Sequence, residues 1–423
     1  MSSVSLAAVE LAAECLRRCD QLAAHSEVPG QITRRFLTPP MLAVHRDVKC
    51  WMQAASLAVH VDHAGNLIGR RPATNHPAKI LLVGSHLDTV PNAGRYDGIL
   101  GVMIGIAIAQ ALGDAKLPFS IDVIGFSEEE GVRFGLPYLG SRAISGDFDP
   151  AWLSLSDPQQ QTMRAAIEAF GLDPNAIGSA AYLPDEVLGF VEPHIEQGPV
   201  LAQLGRSIAA VDAIAGQSRL LIEFTGEPGH AGTTPMHPRA DALVSAAKFI
   251  TKVSLYGRHV EGLRATVGFI NAVPNARNVI PGRVELSLDV RHAQDTLRID
   301  AVETLLQKAQ QLAAEDRVRV TVVQRQDQPA AWMDPGLTEC LRAAMKSSGI
   351  EPRVMTSGAG HDAVAMADRF PSAMLFMRQP TGISHHRDED VELKDVAVAI
   401  DILLAFVHEL ANRLLLSNGP YLT

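Results

Sequence analysis

Histidines and carboxylates stand directly after apolar runs at four places in this chain, where a strand leaving a core would deliver them. ILLVGSHLDTVPNAGRYDGILGV, residues 80–102, carries His86, Asp88, Asn92 and Asp97. FSIDVIGFSEEEG, residues 119–131, ends in a glutamate run that includes the adjacent pair Glu128 and Glu129. VEPHIEQGPVL brings His194, and GISHH brings His385 and His386. Singly, each has an ordinary explanation: a solvated loop histidine, an N-cap at Asp97, a solvated acidic turn. Together they are nitrogen and oxygen donors with no thiolate among them, which suits a catalytic Zn²⁺, Mn²⁺ or Co²⁺ site better than a structural zinc.

Such a donor set points to hydrolysis. A carboxylate bridging two ions, with further ligands on each, leaves room for a shared water of lowered pKa and for a polarised carbonyl. Adjacent glutamates in an extended segment point opposite ways, so one can bind metal while the other stays free as a base. Asp88, two residues beyond His86, is placed to accept the ring's other N–H and orient it.

The elements that must position these residues are legible as alternating strands and helices. AKILLVGS reads as a strand apolar enough to be covered on both faces, GILGVMIGIAIAQALGD as a helix that Asp97 caps, and FSIDVIGFS as the next strand. Consecutive strands thus release acidic clusters at their C-terminal ends, where open α/β sheets place their sites. Residues 150–190 read as polar and helical, with turns at Asp157-Pro158 and Asp173-Pro174. From about residue 216 the order becomes strand, helix, two strands, helix, strand, the split pattern of a ferredoxin-like sandwich. After Gln326 the α/β character resumes with a helix at 335–348, a strand at 372–377 and a helix at 393–416. The expectation is an α/β protein with a discontinuous catalytic domain, residues 1–215 and 327–423, interrupted by a second domain at 216–326.

Bulk properties exclude several functions. At 423 residues the chain exceeds what one core usually serves. A formal charge of −10 disfavours nucleic acid and anionic membrane as partners. Charged residues at helical spacing make the N-terminal 25 residues an amphipathic helix rather than a leader, and no long uncharged apolar run predicts a membrane span. The four cysteines, Cys15, Cys19, Cys50 and Cys340, form no CxxC and read as ordinary thiols in a reducing, cytoplasmic setting.

HLDTV, YDGILGV, SEEEG, PHIEQGPVL, GHAGTTPM, NVIPG, SGAGHDA and GISHH occur in this order, and in that the chain resembles the M20 family of binuclear metallohydrolases. It resembles most its branch acting on ureido compounds: N-carbamoyl-L-amino-acid hydrolases, β-ureidopropionases and allantoate amidohydrolases. The resemblance runs from about residue 25 to 410, and PHIEQGP and SGAGHDA mark this branch rather than the peptidases.

The resemblance implies a metallopeptidase-like catalytic domain with an inserted lid and dimerisation domain, and two divalent ions per subunit, Zn²⁺ first, with Mn²⁺, Co²⁺ or Ni²⁺ as alternatives. It implies His86, Asp97, Glu129, His194 and His385 as ligands, with Asp97 bridging, Glu128 as general base and Asp88 orienting His86. In the inserted domain it implies substrate contacts at Gln217, Asn278 and Arg291 and an oxyanion donor at His230, and beyond that domain a contact at His361. His230 and Asn278 would act across a homodimer. The implied reaction is hydrolysis of an N-carbamoyl-L-amino acid to the amino acid, ammonia and CO₂, with allantoate as the close alternative. An M20 aminopeptidase or deacylase, or a binding protein without catalysis, stands further off. The sequence departs from the family after GISHH, where a proline and a glutamate are usual and HHRDED stands here.

Overall fold

The structure, a computed structural model, describes residues 5–74 and 78–417. Its chain divides into two compact units, residues 1–212 with 332–423, and residues 213–331. The division falls a few residues outside the expected 216–326 at either end.

In the first unit the apolar runs become strands buried along their whole length. Ile80–His86 and Ser120–Phe126 expose no residue, as strands covered on both faces require. They lie in a nine-stranded sheet of order Ala58–Val61, Leu67–Arg71, Ser120–Phe126, Ile80–His86, Val187–Ile195, Ser372–Met377, Ile208–Ile214, Ala331–Trp332, with Val354–Ser357 also pairing Ile208–Ile214. The four central strands, from Ser120–Phe126 to Ser372–Met377, are mutually parallel, so their C-terminal ends share one edge of the sheet. The Ile99–Leu112 helix is apolar all round and almost wholly buried, which a helix inside a core permits. Polar segments between Ser120–Phe126 and Val187–Ile195 form only short helical pieces, among them Met163–Ala169. No described helix is long and apolar enough to cross a membrane.

Two glycines make the site edge possible. A Cβ on Gly84 would strike the Ile124 carbonyl of the neighbouring strand, so glycine lets these strands close up. Gly98, at φ +67°, stands where a side chain would strike the His86 ring, and it holds the N-cap position of Ile99–Leu112. Asp97 is therefore not the side-chain cap expected for that helix; its carboxylate faces histidines instead.

The second unit has the chain order strand, helix, strand pair, helix, strand. Its sheet runs Ile270–Val273, Arg283–His292, Gly216–Thr225, Arg319–Gln328, with alternate residues of the two inner strands buried beneath helices Ala242–His259 and Asp295–Glu315. RATVGFINA, expected as one strand, is two: Arg264–Thr266 and Ile270–Val273. Pairing advances four residues from Thr266 to Ile270 against three from Asp289 to Leu286, a bulge, and the Ser287 hydroxyl accepts the Phe269 N–H there.

Candidate metal centre

The first unit brings the strand-end residues together. His86 is the last residue of its strand, and its Nδ1–H donates to the Asp88 carbonyl at 2.9 Å. His194 Nδ1–H donates likewise to the Ile195 carbonyl at 2.9 Å. Each ring is thereby fixed in the tautomer that leaves Nε2 as an electron-pair donor. Asp97 Oδ1 lies 3.4 Å from His194 Nε2 and 4.0 Å from His86 Nε2, while Oδ2 lies 3.2 Å from His385 Nε2. One carboxylate thus presents an oxygen to each of two histidine groups. The donor atoms of His86, Asp97 and His194 lie within 4.8 Å of one another, as do those of Asp97, Glu130 and His385. Two buried donors, His194 Nε2 and Glu130 Oε1, have no hydrogen-bond partner in the protein, as atoms reserved for a cation would lack one. This donor set fits divalent metal.

The glutamate run is not extended, and that changes which carboxylate goes where. Glu128 has φ +45°, a left-handed turn that an extended segment would not contain. Its Oε1 accepts the Arg133 N–H at 2.9 Å and its Oε2 the Phe36 N–H at 3.1 Å, so both oxygens serve backbone. The donor atoms of His86 group with those of Glu129 and Glu130, and Glu130 rather than Glu129 also joins Asp97 and His385, with Oε1 3.5 Å from His385 Nε2. Asp88 serves more than His86. Its carboxylate lies 3.5 Å from His86 Nδ1, but it accepts the Glu129 N–H at 2.9 Å and the Glu130 N–H at 3.1 Å. It therefore ties the loop after one strand to the loop after the next.

Burial and mutual charge strongly perturb these groups. Burial, with Asp88 nearby, pushes Glu128 up to about 8, and burial, with Asp97 nearby, does the same to Glu130. Burial, with Glu130, Asp362 and Asp88 adding to it, holds Glu129 well above the carboxylate range. The Asp97 hydrogen bond raises His385 to about 9 against the opposing effect of burial. Burial opposes a charge on His86, but the Asp88 hydrogen bond and the Asp88, Glu129 and Asp97 charges outweigh it and hold the ring well above its usual value. His194, which lacks a carboxylate hydrogen bond, is lowered by burial to about 4.

Of the other expected residues, His361 is buried, and its donor atoms group with those of Glu192 and His194. His361 Nε2 lies 2.9 Å from the Ser357 hydroxyl. His386 is apart from the cluster, its Nδ1 accepting the Asp388 N–H in an exposed turn. Gln217, His230, Asn278 and Arg291 belong to the second unit. There Gln217 and Arg291 are direct cross-strand partners, and Arg291 grips Asp289 through Nε at 2.8 Å and Nη2 at 3.0 Å. His230 pairs with Val279, and the Ala231 N–H donates to the Asn278 carbonyl, which sets these two loops side by side.

Sequence reasoning passed over Glu130 and Gln197. Gln197, at φ +57°, donates through Nε2 to Asp97 Oδ1 at 3.0 Å and lies 3.1 Å from His385 Nε2. Its place within HIEQGP was the one available signal; its left-handed backbone has none in sequence.

The comparisons with known proteins agree with this architecture. Residues 82–409 match the model of peptidase family M20/M25/M40. An N-carbamoyl-L-amino acid amidohydrolase of Geobacillus stearothermophilus is 36% identical over 384 residues, 90% of this chain and 94% of that one. Allantoate deiminase 2 of Glycine max is 35% identical over 431 residues, 94% of this chain and 89% of that one. The crystal structure of an amidase of the hydantoinase/carbamoylase family from Burkholderia multivorans superimposes with a TM-score of 0.88 at 31% identity, covering 95% of this chain and 98% of that one. A chain matched over most of its length by the family model, and carrying nitrogen and oxygen donors at the shared edge of its parallel strands, belongs to the M20/M25/M40 peptidase family.

Proposed function

We propose that this chain hydrolyses the carbamoyl C–N bond of a small ureido acid, N-carbamoyl-L-amino acids first and allantoate second. The observation that carries the reading is the Asp97 carboxylate, with one oxygen toward His86 and His194 and the other toward His385. Relatives named for each of the two substrates support the substrate class. Two divalent ions, Zn²⁺ or a similar borderline metal, would supply Lewis-acid polarisation of the carbamoyl oxygen and a water of lowered pKa. His86 and His194 would hold one ion, Glu130 and His385 the other, with Asp97 between them.

The remaining chemistry belongs to the chain. Glu129, whose oxygens are not committed to backbone as those of Glu128 are, takes the proton of the attacking water and returns it to the leaving nitrogen. Water adds to the carbamoyl carbon, the C–N bond to the amino acid breaks, and the carbamate released decomposes to ammonia and CO₂. Asp88 holds the backbone of Glu129 and Glu130 in place.

In the second unit His230 Nδ1 accepts the Gly232 and Thr233 N–H groups, at 3.1 and 3.2 Å. The ring proton then sits on Nε2, a donor for a developing oxyanion. Arg291, whose Nε and Nη2 are held by Asp289, anchors the substrate carboxylate by its charge, with Asn278 and Gln217 beside it. His361 adds a contact from the first unit. In this reading the second unit is a ferredoxin-like lid whose His230 and Asn278 serve the site of a second copy. Mixing inactive Glu129→Gln and Asn278→Ala protomers is expected to restore activity; no recovery despite proven subunit exchange rejects the shared site.

Initial rates with several N-carbamoyl-L-amino acids, N-carbamoyl-β-alanine and allantoate test the substrate. Ammonia release from a carbamoyl amino acid above the other two is expected. Faster release from allantoate shifts the assignment to the second reading, and no release from any, with metal supplied, ends both.

A further inference from the structure

The HHRDED segment folds into a turn in which the Glu389 N–H donates to the His386 carbonyl at 3.0 Å. Residues 385–388 are exposed, yet Glu389 is 5% exposed and points inward. Its Oε1 accepts two successive backbone groups, the Tyr96 N–H at 2.9 Å and the Asp97 N–H at 3.0 Å. Its Oε2 accepts the Ser384 hydroxyl at 3.2 Å, from the residue before His385. Any side chain at position 94 would collide with this carboxylate, so Gly94 leaves the space it fills. One buried carboxylate thus holds both the backbone that carries Asp97 and the residue that precedes His385. His385 itself has φ +56° and a half-exposed ring, so its own packing does little to fix it.

We propose that Glu389 is a positioning residue that sets Asp97 and His385 in register, so that the position shared by Asp97, Glu130 and His385 is formed before an ion arrives. Preorganised donors bind without spending free energy on ordering the loop, and a group that orients ligands without touching metal typically changes metal affinity by about 10–100-fold when lost. The turn also accounts for the departure from the family run: Arg387 occupies the second position of a turn, where proline is favoured but not required. The inference rests on the metal-centre reading, and its test separates the two.

The chain is stripped of metal and titrated with Co²⁺ by calorimetry and visible absorption, as wild type, Glu389→Ala and Glu389→Gln, with far-ultraviolet circular dichroism as a control on folding. Wild type is expected to bind two Co²⁺ ions. Glu389→Ala is expected to weaken one affinity by about 10–100-fold, that of the position that includes His385, and the other by clearly less. Glu389→Gln retains an oxygen to accept both N–H groups and is expected to stay within about tenfold of wild type. Wild-type affinities at both positions in Glu389→Ala, equal weakening of both, or a Gln variant as impaired as the Ala variant would each overturn the proposal. A wild-type chain that binds no Co²⁺ overturns the metal centre itself.

Discussion

Glu129→Gln is expected to lower kcat by about 10²–10⁴-fold, the usual contribution of a general base, with metal content unchanged. The neighbouring Glu128→Gln is expected to behave oppositely. Both oxygens of Glu128 accept backbone N–H groups, from Phe36 and Arg133, and the side chain is fully buried. A glutamine has one acceptor oxygen for these two donors and turns an N–H toward the other. Such a mismatch of buried polar groups costs about 1–3 kcal/mol. Glu128→Gln should therefore lose stability in urea unfolding by that amount while kcat falls by less than about tenfold, below the range for a lost base. Steady-state rates and metal analysis on the two variants decide the matter. Loss of turnover in Glu128→Gln, with metal retained and Glu129→Gln active, would return the base to Glu128.

Asp97→Ala is expected to abolish tight binding of both ions, a larger loss than the about 10–100-fold of a residue that only orients ligands. The reason is geometric: Asp97 is the one member common to the His86–His194 group and the Glu130–His385 group. A variant that still holds one ion at wild-type affinity would mean that the carboxylate does not bridge. Metal uptake by the wild-type chain should also release protons. His385, raised to about 9 chiefly by the Asp97 hydrogen bond, holds a proton at neutral pH, and so does Glu130, raised to about 8 chiefly by burial. Metal binds the deprotonated forms. Apparent affinity should therefore climb as pH rises through about 8 to 9, where Glu130 and His385 give up their protons. Calorimetry at pH 7 in buffers of different ionisation enthalpy counts the protons, and a pH-independent affinity would contradict these assignments.

Local periodicity and solvation were enough to read several parts of this protein from its residues. Apolar runs long enough to be buried on both faces became the parallel strands Ile80–His86 and Ser120–Phe126, and the residues just beyond them had to emerge at one edge of the sheet. His86, Asp97, His194 and His385 were legible as donors for that reason, before any geometry was known. The alternating strands and amphipathic helices of residues 213–331 were legible on the same grounds, except for the bulge between Thr266 and Ile270, which nothing in RATVGFINA marks.

The register within the glutamate run and the identity of the supporting groups depend instead on long-range contacts. An extended segment would send Glu128 and Glu129 to opposite sides. The left-handed backbone at Glu128 moves the alternation on by one residue, so Glu130 arrives at Asp97 and His385. That conformation is held by hydrogen bonds from Phe36, far away in sequence, and from Arg133, so no local window could contain its cause. Gln197 and Glu389 were hidden for the same reason. Each matters through a partner about a hundred or more positions away, at Asp97, and sequence periodicity records how a side chain is solvated, not which distant backbone it grips.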